Sequence, residues 1–280
     1  APEPAPRPGG EGSEAPAAET AEDQNTVARE EPGSASTASA RREAAERPVR
    51  VGRVAVVIDD VGYGLDNLEP FLATKLDLSL SVLPGLPHSR ESARRIRDAG
   101  KEVLLHLPMQ AQNGSNPGPV AVLTQMSDEE IRRLLDAALD EVPATGANNH
   151  MGSLATADER IMRVVLEHLE GRGLFFLDSR TTPESVARRA AREVGALALK
   201  RDVFLDNDPA IEAMRGQLFE ALALAEQRGQ AVLIGHVQNP QIVGLLEGAL
   251  PEIERRGLEL VRAGELAGAR SSPSGPGGQR

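Results

Sequence analysis

Between about residues 51 and 267 the chain alternates short apolar runs with longer amphipathic stretches, and few folds accept that pattern. Residues 54–58 read Val-Ala-Val-Val-Ile, an unbroken and mostly β-branched run of the kind buried on both faces of a sheet. Similar runs occupy 78–83, 102–107, 174–178 and 231–236, with a shorter, more polar one at 146–150. Residues 198–205 and 258–261 carry two further strand signals. Helical patterns fill the gaps. One covers 90–99 and stops at Gly100, and Ser127 with Glu130 forms a capping box that opens another, running to about residue 141. Others span 158–170, 185–194, 210–228 and 241–256. Strands alternating with helices require right-handed crossovers and a parallel sheet. About seven such units predict an α/β barrel, distorted or incompletely closed, with an open doubly wound sheet as the alternative.

The ends of the chain are different. Residues 1–49 are rich in Pro, Ala, Glu, Gly and Ser and have almost no large apolar side chains, so they are expected to form a disordered tether. Residues 268–280 read as a disordered tail, leaving 50–267 as the folded domain. The whole chain has 31 basic and 42 acidic residues, a net charge of −11 that argues against nucleic acid as a partner. It contains no cysteine, which excludes disulfides and thiolate metal sites. No apolar run approaches the roughly 20 residues that span a bilayer. No signal peptide is visible, and the first residue is Ala, so a leader or anchor upstream is one expectation.

Parallel-strand folds place ligands at the C-terminal ends of their strands. Ionisable residues recur at those ends here: Asp59 and Asp60, His106, His150, Asp178 and His236. Three of the five histidines therefore point to one edge. Neighbouring residues on a strand face opposite ways, but where the chain turns both members of an acidic pair can face the mouth. Two adjacent carboxylates call for a cation or a shared proton. A carboxylate with two imidazoles is a common ligand set for Zn²⁺ or a similar divalent ion. A helix N-cap beside a solvated acid is the plain alternative. A receiver-type Mg²⁺ pocket is disfavoured, because it would need an Asp where His106 stands.

The strings Val57-Ile58-Asp59-Asp60-Val61-Gly62, His106-Leu107-Pro108-Met109, Asn148-Asn149-His150-Met151-Gly152-Ser153, Leu177-Asp178-Ser179-Arg180-Thr181 and Ile234-Gly235-His236, in this order, resemble the divergent polysaccharide deacetylases, relatives of the NodB-homology group. The resemblance implies a barrel with one divalent metal ion, zinc first among candidates. It implies Asp59 as general base, Asp60, His106 and His150 as ligands, and His236 as general acid. The implied activity is hydrolysis of acetamide groups on an N-acetylated glycan, in the periplasm or elsewhere outside the cytoplasm. Two positions differ from the family pattern: Gln110 stands where an acidic residue is expected, and Val237-Gln238-Asn239-Pro240 follows His236.

Asp178 and Arg180 are close enough to pair and to orient a catalytic group, or to form a structural ion pair. Tyr63, the chain's single tyrosine, lies between glycines at the mouth and is a candidate substrate contact, with loop packing as the alternative. Asn149 and Met109 are further substrate-contact candidates beside the histidines. Asn148 and Asn149 line the site or satisfy buried backbone groups. His168 is expected on a helix surface and His88 on a mouth loop. An enzyme is the first reading. A metal-stabilised barrel that binds glycan or another envelope protein, and a related metal hydrolase of another amide or ester, are the alternatives.

Overall fold

A computed structural model describes residues 52–268. Nine strands lie in one sheet: β1 (Gly52–Val61), β2 (Ser79–Val82), β3 (Glu102–Met109), β4 (Gly146–Met151), β5 (Phe175–Asp178), β6 (Ala198–Lys200), β7 (Val203–Phe204), β8 (Gln230–His236) and β9 (Leu258–Val261). The helices are α1 (Glu69–Ala73), α2 (Ser89–Asp98), α3 (Asp128–Glu141), α4 (Glu159–Glu170), α5 (Ala187–Val194), α6 (Ile211–Arg228), α7 (Gln241–Arg255) and α8 (Ala263–Ala267). No helix among the described residues is long and apolar enough to cross a membrane. The tether expected over 1–49 lies outside the described residues, as does the tail beyond Gly268.

Every pairing in the sheet is parallel. Eight strands follow the order β6-β5-β4-β3-β2-β1-β8-β7, and β9 pairs with the start of β1. The two ends of this path, β6 and β7, are consecutive in the chain and separated by Arg201 and Asp202 alone. So short a link reaches roughly 10 Å, about two strand spacings, so the sheet must curl until its edges come that near. At this seam the Arg201 N–H donates to Asp178 O and the Asp202 N–H donates to Val232 O, both at 2.9 Å. The single strand expected over 198–205 is thus two short pieces. The barrel is strongly curled and not fully closed.

Strand alternation then sorts the side chains. Ala55, Val57, Leu104, Phe175, Leu177, Leu199, Val232 and Ile234 fill the barrel interior with Val261, Ala263 and Leu266. The other parity, including Val54, Val56, Ile58, Val103, Leu105 and Leu107, packs beneath the helices. The interior is crowded: a methyl group on Gly146 would sit 2.5 Å from the Phe175 ring.

Helix α8 closes the floor. Its Ala263 N–H donates to Ser79 Oγ at 2.9 Å, and its Gly264 N–H donates to Glu102 Oε2 at 3.1 Å. The buried Glu102 carboxylate also accepts from Ser79 Oγ at 2.6 Å and Thr145 Oγ1 at 2.8 Å. Three donor contacts from neutral groups hold it without a cation, and the C-terminal mouth of the barrel stays open.

Candidate metal centre and active site

Inward parity carries Asp59, His106, Asn148 and His236 to the top of the barrel, with Asp59 beside His236 and His106 beside Asn148 in register. Alternation alone would turn Asp60 away. Instead its φ is 64°, and the β1–β2 register breaks between Ile58 and Val61, so both acids face the mouth. The non-glycine residues with positive φ among those described are Asp60, Met151 (54°) and Arg180 (51°). All three lie at or just beyond strand ends on this rim. Each costs about 1–2 kcal/mol, and strain of this kind collects at functional sites.

Three atoms form a near-equilateral triangle. Asp60 Oδ1 is 3.2 Å from His106 Nε2 and 3.1 Å from His150 Nδ1, and the two nitrogens are 3.1 Å apart. Two ligands sharing one ion at bonds of about 2.0–2.2 Å are separated by roughly 3 Å, so the triangle has the right size. The chemistry agrees. Asn148 Nδ2 donates to both oxygens of Asp59, at 2.8 and 3.1 Å, which leaves Asn148 Oδ1 to accept from His106 Nδ1 at 2.9 Å. The proton of His106 is thereby fixed on Nδ1, and its Nε2 presents a lone pair to the triangle. Asp60 Oδ1 is buried with no hydrogen-bond partner of good geometry. Lone pairs that converge in this way fit a cation.

The electrostatics are consistent with that. Burial raises the pKa of Asp60, but the neighbouring His106 and His150 imidazoles outweigh it and hold the carboxyl far below the usual range. Burial opposes charge on His106, but the Asp59 and Asp60 carboxylates raise its pKa above the ordinary 6.5. The pocket attracts positive charge strongly. Asp59 itself is 3% exposed, with Oδ2 3.7 Å from His106 Nε2.

His236 lies beside this cluster and is held by Asp206, which the sequence reading does not single out. Asp206 accepts the His236 backbone N–H at 2.9 Å and His236 Nδ1–H at 2.9 Å. Burial lowers the imidazole pKa, but the Asp206 hydrogen bond and charge overcome this and raise it. The ring stacks on Phe204 at 5.6 Å, and the Arg201 guanidinium lies over the Phe204 ring at 3.9 Å. Arg201 Nε donates to Ser179 O at 2.8 Å, which ties the seam to the rim.

Residues 56–267 match the family model of the divergent polysaccharide deacetylases. The chain belongs to that family. Uncharacterized protein YibQ of Escherichia coli (strain K12) is 40% identical over 201 residues, 71% of this chain and 63% of that protein, so the chain spans less than two thirds of this relative. An uncharacterized protein of Haemophilus influenzae (strain ATCC 51907 / DSM 11121 / KW20 / Rd) is 34% identical over 215 residues, 76% of each chain. Among solved structures, an uncharacterized protein from Agrobacterium tumefaciens C58 shares the fold with a TM-score of 0.71 at 22% identity, covering 78% of this chain and 89% of that one. A putative cellobiose-phosphate cleavage protein from Enterococcus faecalis V583 has a TM-score of 0.56 at 15% identity, covering 79% and 100%.

In this member of the family the remaining candidates fall into two groups. Tyr63 is at the mouth and 62% exposed. Asp178 meets Arg180 through the backbone: its Oδ1 accepts the Arg180 N–H at 2.8 Å and its Oδ2 accepts Ser185 Oγ at 2.8 Å. The Arg180 guanidinium forms no ion pair with it and is exposed. Met109 shares the parity of Leu107 and is fully buried under the helices. Asn149 has the parity of Ala147. It accepts from the Ser179 N–H at 2.8 Å and donates to Met151 O at 2.7 Å, which makes it a rim brace. Gln110 turns to the following loop, where its Oε1 accepts the Thr124 N–H at 2.8 Å. His88 borders Gly62, whose carbonyl accepts its backbone N–H. His168 is a correction as well: its side chain is 7% exposed and lies against Asp136, not on the open surface.

Proposed function

We propose that this chain is a metal-dependent deacetylase acting on an N-acetylated glycan of the cell envelope. The observation that carries the reading is the Asp60–His106–His150 triangle, flanked by one anchored carboxylate and one imidazole with a raised pKa. A divalent ion, zinc by ligand type, would supply Lewis-acid polarisation of the acetyl carbonyl and a more acidic water. Asp59, fixed by two hydrogen bonds from Asn148, accepts the proton of the water that attacks the carbonyl carbon. His236 has Nδ1 committed to Asp206 and donates its other proton to the departing amine as the C–N bond breaks. The products are acetate and a free amine. The Pro/Ala/Glu-rich residues 1–49 suit a domain held at a distance from an anchor outside the cytoplasm.

The test is metal analysis of the purified full chain combined with acetate release from chitooligosaccharides and peptidoglycan fragments. One divalent ion per chain and measurable release are expected. Asp59→Asn should keep the metal and lose about 10²–10⁴-fold in kcat. Bound metal without release from any N-acetylated glycan would assign the barrel to binding and not turnover. Full activity in Asp59→Asn would remove the mechanism.

A further inference from the structure

A groove of about 710 Å³ lies at the end of the barrel opposite the mouth, between β9 and the segment that leads into β2. One wall is β9 itself, through Leu258, Glu259 and Leu260, and the facing wall is formed by residues 73–77. Leu250, Ile253 and Glu254 of α7 back the groove. The facing wall is held in place from both sides. Lys101 Nζ donates to Thr74 O at 2.7 Å and to Leu76 O at 2.6 Å, and Thr74 Oγ1 donates to Glu247 Oε1 at 2.6 Å. Gly52, the partner of Leu258, stands at the start of β1 and Asp60 near its end, roughly 26 Å apart along an extended strand. The groove and the metal triangle are therefore separate sites.

Strand β9 gives the groove its chemistry. Among the described residues it pairs with β1 alone, so one of its edges has no partner strand. The Arg53 N–H donates to Gly229 O, on the β8 side of β1. Backbone groups alternate along a strand, so Gly52 and Val54 turn theirs to β9, where Glu259 and Val261 meet them. The N–H and C=O groups of Leu258 and Leu260 are left facing the groove. An edge of this kind is a template for one more strand. Side chains alternate too. Leu258 and Leu260 pack toward α7 with Leu250 and Ile253, while Glu259 takes the other face and is exposed. A strand added here would meet aliphatic side chains on one face and a carboxylate on the other. The lining carries four acids, Asp77, Glu247, Glu254 and Glu259, against Lys75 as its one base. That excess of negative charge complements a basic partner.

We propose that the groove is a docking site for an extended segment of a partner protein, in which apolar and basic residues alternate and which adds as a strand to the free edge of β9. Hydrogen bonds to the backbone of Leu258 and Leu260 set its register. Its apolar side chains pack on Leu250, Ile253 and Leu260, and its Lys or Arg side chains answer Glu254 and Glu259. The chain's own terminal segments fit this site less well, because residues 1–49 and 268–280 have almost no large apolar side chains to fill it. Docking at this end leaves the metal triangle uncovered, so a partner holds the barrel in place with its mouth free. The inference stands apart from the deacetylase reading and does not depend on it.

The probe is a fluorescein-labelled peptide of alternating Val and Lys, titrated against the full chain by fluorescence anisotropy. Two control peptides accompany it. One has alternate backbone amides N-methylated, which keeps the charge but removes the donors a strand needs, and the other has Glu in place of Lys. The parent peptide should bind roughly tenfold more tightly than either control. Glu254→Lys combined with Glu259→Lys, both at exposed positions, should weaken it by roughly tenfold. Glu170→Lys, equally exposed but on α4 several strands away, should leave it unchanged, which separates the groove from the chain's overall negative charge. Hydrogen exchange should find the Leu260 amide unprotected in the free chain and protected once the peptide is bound. Absence of binding would overturn the proposal, as would binding indifferent to N-methylation or to the paired lysines. A Leu260 amide already protected in the free monomer would assign the groove to the chain's own terminal segments. A dimer that the paired lysines dissociate would assign it to a second copy. Either result would also overturn the proposal.

Discussion

Asn148 is neutral and fully buried, and it governs both halves of the candidate site. Its amide nitrogen anchors Asp59 and its oxygen sets the His106 tautomer, so Nε2 is bare where a cation would sit. Replacing it with Leu should weaken zinc binding by about 10–100-fold, the usual effect of removing a hydrogen-bonded support of a ligand histidine. Competition with a chromogenic chelator would measure this, and unchanged affinity would refute the role. Asp206 supports a pH prediction. Its charge raises the His236 pKa above 6.5, so the proton needed for the leaving amine persists to higher pH and is lost as pH rises through the raised value. Asp206→Asn should move the alkaline limb of kcat to lower pH. The same shift contributes folding stability that is fully present below about pH 6.5 and is lost through the raised pKa. At this scale the sequence is legible where an ionisable residue ends an apolar strand, as at Asp60, His106 and His150. Asp206 lies just beyond β7, after the strand signal over 198–205, and its role emerges only from the hydrogen bonds it makes to His236. Met109 and Asn149 sit in the same strings with the parity opposite to His106 and Asn148, which only a fixed register reveals.

At the level of elements, local signals hold where local energies decide. The capping box is formed by Ser127 and Glu130: Ser127 Oγ accepts the Glu130 N–H at 3.3 Å, and Glu130 accepts the Ser127 N–H at 2.7 Å. Ser127→Ala should cost about 1 kcal/mol in urea unfolding. Non-local contacts are not legible in this way. Residues 198–205 look like one strand, but their two halves bond to β5 and β8 on opposite sides of the seam. Glu102 opens β3 and is buried under α8, a helix too short to leave a periodic trace. Gly146 is required by the Phe175 ring lying against it from the neighbouring strand. Gly146→Ala should destabilise the barrel by about 1–3 kcal/mol through overpacking, and a variant as stable as the natural chain would show that the interior is looser than described.

For the whole molecule, the curl of the sheet brings residues from β1, β3, β4 and β8 to one mouth. The candidate site is therefore as long-range as the fold itself: Asp60 and His150 are 90 positions apart yet share a triangle with 3.1–3.2 Å edges. A ligand bound across these strands should stabilise all of them. With zinc at about a thousand times its Kd, the gain of about 4 kcal/mol should raise the unfolding midpoint by on the order of 10 °C, and a chelator should reverse it. The most direct measurement is a calorimetric zinc titration of the metal-free full chain beside folded His106→Ala and His150→Ala variants. One site per chain is expected in the natural protein, with affinity reduced at least a hundredfold in each variant. No binding by the natural chain, or undiminished binding by both variants, would contradict the metal centre and the deacetylase mechanism built on it.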